Sequence, residues 1–379
     1  MSRFGYILGI ALLSGLLTGP VVAGDVDVLV ESRKGIGLIP SAWRGAMVGA
    51  DTSPVGGLTW AFIDPVLVET AWRERVGGGG PGWVALDAAI DAAVNRGERV
   101  VLPLPTRVAP KSEDSWRARV EDTVKRTSAR IAHYEISGDE TVVADRYLAL
   151  YESGVWAAYQ GYHRASVGGP GVEMSGGLLF ALLKRCAERD LPLSFVSWHI
   201  QAEAGDEAEV TYGRVEGMLD RVGLKDRPLA VVSRWSTVDA PDASSVTFRV
   251  LHDLTKANLE VSIADLSHLP WGGTALQTFG RLGQVEIPVL FDPEGDLDGV
   301  ATLDGDDVRI LLWANKRSRA NLSVSGMRWG RTYAYERSVV GVKQTQLVES
   351  SDLRAEDPVT ISVSVSPGRP VFLTLTPKN

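Results

Sequence analysis

The chain has 379 residues, 45% hydrophobic and 23% charged, a composition that excludes a disordered polymer and suffices for one large domain plus a smaller one. Its 39 basic and 47 acidic residues leave a net charge of −8, which argues against nucleic acid as a partner. The single cysteine, Cys186 in "LLFALLKRCAERD", excludes an internal disulfide and reads as a buried residue of an apolar-periodic helix.

At the N-terminus, "MSRFGYILGIALLSGLLTGPVVAG" carries one early Arg, an apolar run, and small residues at Val21 and Ala23. This is the pattern of a secretory signal, residues 1–23, cleaved near Ala23–Gly24. A membrane anchor is the rival reading, and the Gly-Pro break makes it a poor span of about 20 residues. Removal of 1–23 takes away only Arg3, leaving 38 basic against 47 acidic residues and a net charge of −9. The expected location is therefore secreted, periplasmic or extracellular, with no stable membrane span after cleavage. Residues 24–46 include "DVDVLVES", whose alternation suits a strand that joins a later sandwich.

From residue 47 to 290, short apolar runs alternate with helical patterns, the signature of repeated β-α units. The strands are "GAMVGA", "GLTWAFI", "RVVLPLP", "AHYEIS", "ASVGG", "LSFVSWH", "LAVVSRW" and "LEVSIAD". Between them lie amphipathic stretches such as "WVALDAAIDAAVNRGE", closed by a Gly, and "GGLLFALLKRCAERDLP", closed by a Pro. Eight repeats predict a (β/α)8 TIM barrel with its chemistry at the C-terminal ends of the strands. Residues 291–379 lose the helical period and carry "VRILLWANK", "ANLSVSGM", "RTYAYERSV", "TISVSVS" and "PVFLTLTP" between turn signals, which predicts a C-terminal β-sandwich.

Several motifs lose their appeal in context. "GGGGPG" at 77–82 satisfies the dinucleotide-loop spacing, but it follows helical "ETAWRERV" instead of a strand. "EGDLDG" at 294–299 lacks the closing Glu of a calcium loop and reads as a hairpin turn on Asp298–Gly299. There is neither a G-x-S-x-G elbow nor an H-E-x-x-H pair. No metal and no cofactor is expected.

One strand end concentrates charge: "HYEISGDETV" runs from aromatic and apolar residues into Asp139–Glu140. Unpaired charges cost several kcal/mol to bury, so a strand carrying them at its end delivers them to a cleft. The order "RIAHYEISGDE", "VGGPGVEMSGGLLFALLKRCAERDLPLSFVSWHIQ", "PLAVVSRWSTV" and "IADLSHLPWGGTALQTFGRLGQVEIPVLFD" resembles glycoside hydrolase family 39, a branch of the retaining barrel glycosidases that includes β-xylosidases. The likeness runs from about residue 99 to the end, and "VGGP" followed by a helix and "SWH" is its most diagnostic part. Between residues 30 and 95 it is weak.

The resemblance implies an acid/base at Glu140, where the family ends its fourth strand in Asn-Glu. Asp139 replaces the Asn, which removes an amide that in the family bonds the sugar 2-hydroxyl, and its charge would push the Glu140 pKa upward. The rival reading pairs Glu140 with an Arg at the rim. On the seventh strand the family writes Thr-Glu-Trp with the Glu as nucleophile, and this chain writes Ser233–Arg234–Trp235. A guanidinium is always protonated and cannot attack an anomeric carbon. On the eighth strand a family Trp falls on Val261 ahead of Asp265, with Trp271 as the nearest substitute. His199 and Trp198 are expected to line the sugar cleft together with Asp139, Trp235 and Trp271, since aromatic faces stack on pyranose rings. Core filling is the alternative for His199 and Trp198, because alternation turns one inward and the other outward.

Two functional readings follow. In the first, the chain is a secreted carbohydrate-active protein that binds an oligo- or polysaccharide, weakly active or inactive as a retaining hydrolase because Arg234 stands at the nucleophile position. In the second, it is an active O-glycosyl hydrolase that uses Glu140 as general acid and a displaced carboxylate as base. Glu203, Asp206, Glu207, Glu209 and Asp239 are loop acids within reach of the rim, although such runs also serve as solvated loops.

Overall fold

The computed structural model describes residues 25–32, 35–39, 44–49, 55, 57–74, 80–139, 142–174, 177–202, 207–224, 226–237, 243–269, 271–291 and 296–378. The signal-like segment 1–23 and Glu140 lie outside the described residues, as do Glu203, Asp206, Asp239 and the side chain of Glu207.

Two short strands come first, β1 (Asp25–Glu31) and β2 (Gly37–Leu38). Eight parallel strands then close a barrel: β3 (Gly45–Val48), β4 (Trp60–Ile63), β5 (Arg99–Pro105), β6 (His133–Ser137), β7 (Ser166–Glu173), β8 (Phe195–Ala202), β9 (Leu229–Thr237) and β10 (Val261–Ala264), with β10 pairing back onto β3. These are the eight strands expected from the sequence, and with the helices around them they make a TIM barrel.

The helices that follow the strands are α1 (Pro65–Trp72) and α2 (Pro81–Asn95) after β4, and α3 (Glu113–Thr127) after β5. Next come α4 (Ala144–Gly161), α5 (Leu178–Arg189), α6 (Glu207–Val222), α7 (Ala243–Lys256) and α8 (Gly272–Phe279), one after each later strand. Their starts are chemically marked. Asp64 caps α1 by accepting from Val66 N at 2.9 Å with Pro65 in the first turn, and Ser112 caps α3 ahead of Glu113 and Asp114. Cys186 is buried on α5. Among the described residues no helix is long and apolar enough to cross a membrane.

Apolar side chains plug the barrel, with Trp60, Phe62, Val101, Phe195, Val231, Val261 and Ile263 forming one buried cluster. Val261 belongs to this plug, so no aromatic platform stands at that position. Polar residues take over higher up on β6, β8 and β9, where Glu135, Ser197 and Ser233 are fully buried. That change of lining prepares the cleft.

Two sheets make the rest, the first mixed and the second antiparallel: β12 (Val289–Phe291), β1, β15 (Ser318–Ser325) and β18 (Val359–Val365) in one, and β17 (Thr345–Arg354), β16 (Thr332–Val340), β19 (Val371–Pro377), β14 (Asp307–Ala314), β13 (Leu297–Asp304), β11 (Val285–Ile287) and β2 in the other. Within the first sheet, β1 runs parallel to β15. Alternating residues such as Val359, Ile361, Val363 and Val365 face inward, as one-sided burial demands. The seven-stranded sheet rests on α7 and α8: Phe248 stacks on Trp313 at 6.0 Å, Ser245 Oγ donates to Ala314 O at 2.8 Å, and Thr274 Oγ1 donates to Val342 O at 2.8 Å.

Two sequence expectations need correcting. Residues 285–290, expected at the end of the barrel, pair with sandwich strands instead, because their short apolar runs continue the sheets through β13 and β1. Asp298–Gly299 is no turn but part of β13, opposite Trp313 and Leu312. The reversal comes at Gly305–Asp306, between Asp304 and its partner Asp307, with Gly305 at φ +64°.

Candidate functional site

A cleft of about 640 Å³ opens at the C-terminal ends of the barrel strands. Its charged and polar lining includes Asp64, Glu69, Arg107, Asp139, Glu173, His199, Arg234 and Asp265, with Glu135 at its floor. A (β/α)8 barrel collects its chemistry at this end because eight separate strands deliver side chains to one small area.

Arg234 and Asp265 are the fixed centre. Arg234 Nε donates to Asp265 Oδ2 at 2.8 Å, and the side chains are 41% and 2% exposed respectively. The other oxygen, Asp265 Oδ1, accepts from Ser267 N at 3.2 Å and from Ser267 Oγ at 2.5 Å. The carboxylate is thus held on both sides while the guanidinium leans toward solvent. No further hydrogen bond engages the Arg234 guanidinium among the described residues.

A bulge brings Arg234 here. Trp198 pairs with Val232 and His199 with Arg234, so Ser233 is the extra residue on β9. Ser233 approaches the Glu135 carboxyl and Arg234 lines the cleft, so two consecutive residues serve the barrel interior. His199, beside Arg234, has its pKa lowered to about 4 by burial first and by the Arg234 charge second, with Asp265 opposing. At neutral pH the imidazole is uncharged.

Glu135 is a cleft residue outside the set expected from the sequence. It is 1% exposed and receives Ser137 Oγ at 2.7 Å on Oε1. Burial raises its pKa against the opposing influence of Ser137, Ser197 and Ser233. Those last two hydroxyls lie near it, yet neither they nor Glu135 Oε2 form a hydrogen bond of good geometry. Gly171, at φ +59°, makes room: a Cβ there would stand 2.3 Å from Glu135 Oε1.

Of the sequence-predicted site residues, Asp139, His199 and Arg234 meet in the cleft. Trp198 and Trp235 do not. Both are fully buried in the layer between strands and helices, where Trp198 Nε1 donates to Thr211 Oγ1 at 3.1 Å. Alternation explains Trp198, since Ser197 and His199 on either side of it take the inward face. Trp271 sits against the same buried layer and outside the cleft. On the opposite rim Arg107 pairs with Glu69 through a short ion pair, and Asp139 and Asp64 lie close enough to add to the stabilisation of its charge.

No protein-family model matches the chain, and no curated protein matches it by sequence. Solved structures do. A glucosidase from Croceicoccus marinus superposes with a TM-score of 0.74 at 14% identity, over 93% of this chain and 99% of that one. The bacterial orthologue of human α-L-iduronidase gives 0.71 at 14% identity, over 94% and 84%. A monomeric β-xylosidase from Caulobacter crescentus gives 0.69 at 12% identity, over 93% and 100%. The chain has the glycosidase barrel-and-sandwich fold. At such identities the likeness carries the fold alone.

Proposed function

We propose that this is an exported glycan-binding protein built on a glycosidase barrel related to family 39, with the retaining nucleophile replaced and little or no retaining hydrolysis left. The observation that carries the reading is Arg234, a permanent cation in the cleft at the end of the seventh barrel strand and ion-paired to buried Asp265. A guanidinium has no lone pair to offer a sugar carbon, and its bond to Asp265 fixes it at that position. The fold shared with glucosidase and xylosidase structures supports a sugar as the ligand. Glu140 would keep the acid/base position beside Asp139, and His199 contributes a neutral donor or acceptor to the cleft wall.

Turnover of aryl glycosides by the wild type and by Glu140→Gln, beside a glycan-array screen of the mature chain, tests this. The expected result is array binding without Glu140-dependent turnover. Turnover that disappears in Glu140→Gln would overturn the inactive reading, and an empty array would overturn the ligand class.

A second reading has its own support. Asp64, Asp139 and Glu173 share the cleft, and an inverting mechanism needs only an acid and a base roughly 6.5–9.5 Å apart. Export rests on residues 1–23; N-terminal sequencing of protein recovered outside the cytoplasm should begin at Gly24.

A further inference from the structure

Well away from the barrel mouth, the outer faces of α3 and α4 enclose a groove of about 780 Å³ that shares no lining residue with the cleft. Sites for small ligands span about 300–1,000 Å³, so the groove has the size of one. Its wall on α4 is a single helical stripe, Glu152, Trp156, Tyr159 and Gln160, spaced three and four residues apart. Glu113 and Arg117, one turn apart on α3, face it.

Trp156 is the anomaly. It is 47% exposed in a helix whose other large aromatics are fully buried, as Tyr147 and Tyr151 are, or half-buried, as Tyr159 is. Tyr159 supports it at 6.3 Å between ring centroids. Around this half-open ring stand a carboxylate, a guanidinium and an amide, those of Glu113, Arg117 and Gln160, and among the described residues none of the three makes a hydrogen bond or ion pair. Glu152, by contrast, is committed to Arg185 and Arg189. A protein partner would want about 800 Å² of surface with an apolar centre, and Trp156 is the only large exposed hydrophobic on either helix. A pyranose wants something else: one aromatic face for its apolar side and planar polar groups for its hydroxyls.

We infer that the groove between α3 and α4 is a second carbohydrate site, in which a pyranose unit of a polysaccharide stacks on Trp156 while Glu113, Arg117 and Gln160 bond its hydroxyls. The site holds polymer on the outer wall of the barrel, independently of what the cleft does.

Affinity electrophoresis of the mature chain through gels containing mixed-linkage β-glucan, xylan, xyloglucan or polygalacturonate tests the inference. At least one polymer should retard the wild type. Trp156→Ala should weaken that retention about tenfold or more, as loss of an aromatic anchor does, while Trp156→Phe keeps most of it. Both variants should melt with the wild type, because the ring is half in water. Retention unchanged in Trp156→Ala, or lost only in Arg234→Ala, would remove the groove site and leave the cleft reading standing. Absence of retention on every polymer would overturn the inference, as would a dimer, seen by sedimentation, that Trp156→Ala dissociates.

Discussion

Replacing His199 by Gln isolates one titration from all the others. The wild-type imidazole titrates near 4 in the folded protein, against about 6.5 when free. A folded-state value below the unfolded one means that the unfolded chain takes up the proton first, so stability is lost as the pH falls from about 6.5 toward 4. The gap of about 2.5 units corresponds to about 3 kcal/mol at 1.36 kcal/mol per unit, and nearer 2 once the solvent reaching the partly open ring is allowed for. Glu135 works in the opposite sense, since its raised folded-state value favours the folded protein as acid is added. The wild-type curve alone therefore mixes the two, and the difference between wild type and His199→Gln does not. Urea unfolding at half-unit steps from pH 7 to pH 4 should show that difference moving by about 2–3 kcal/mol against the wild type. Parallel curves for the two proteins would refute the placement of a neutral imidazole beside Arg234.

Three further perturbations probe the same mouth. Arg234→Ala leaves Asp265 buried with Ser267 as its partner, and should cost about 2–3 kcal/mol in denaturant unfolding, less than a fully buried pair because the guanidinium is 41% exposed; it should also raise the His199 pKa above about 4 by NMR, since a positive neighbour is gone. Gly171→Ala combines a positive φ with a Cβ driven into Glu135, and should lower stability by about 2–4 kcal/mol in thermal or urea melts, whereas a neutral outcome would mean that Glu135 is free to move aside. Glu135→Gln keeps the shape without the ionisation: wild type should lose stability relative to the variant as the pH rises above the ordinary carboxylate value of 4.5, and equal slopes would contradict a buried carboxyl there.

Much of this architecture is legible in the chain because parallel barrel strands, covered on both faces, read as unbroken apolar runs such as "RVVLPLP". The sandwich is legible for the opposite reason, its clean alternation in "VTISVSV". The cleft was harder to read. Trp198 and Trp235 attract attention as sugar platforms, yet period-two geometry sends Trp198 to the helices once Ser197 and His199 turn inward. The bulge at Ser233 shifts the count on β9 and has no signature in "SRW". Glu135 did leave a signal: Tyr134 and Ile136 flank it as outward core residues, so the charge between them had to point into the barrel. The turn at Gly305 was obscured by two Asp-Gly pairs in "LDGVATLDGDD", and only the pairing of β13 with β14 selects the second.

The strand Asp25–Glu31 has its partners far down the chain, as the bond from Ser32 Oγ to Ser325 O across 293 positions illustrates. During synthesis this apolar segment leaves the ribosome long before Ser318–Ser325 exists, and the whole barrel is translated while it waits. The sandwich can therefore close only after the barrel residues have been made, and until then the "VDVLV" edge is open to wrong partners.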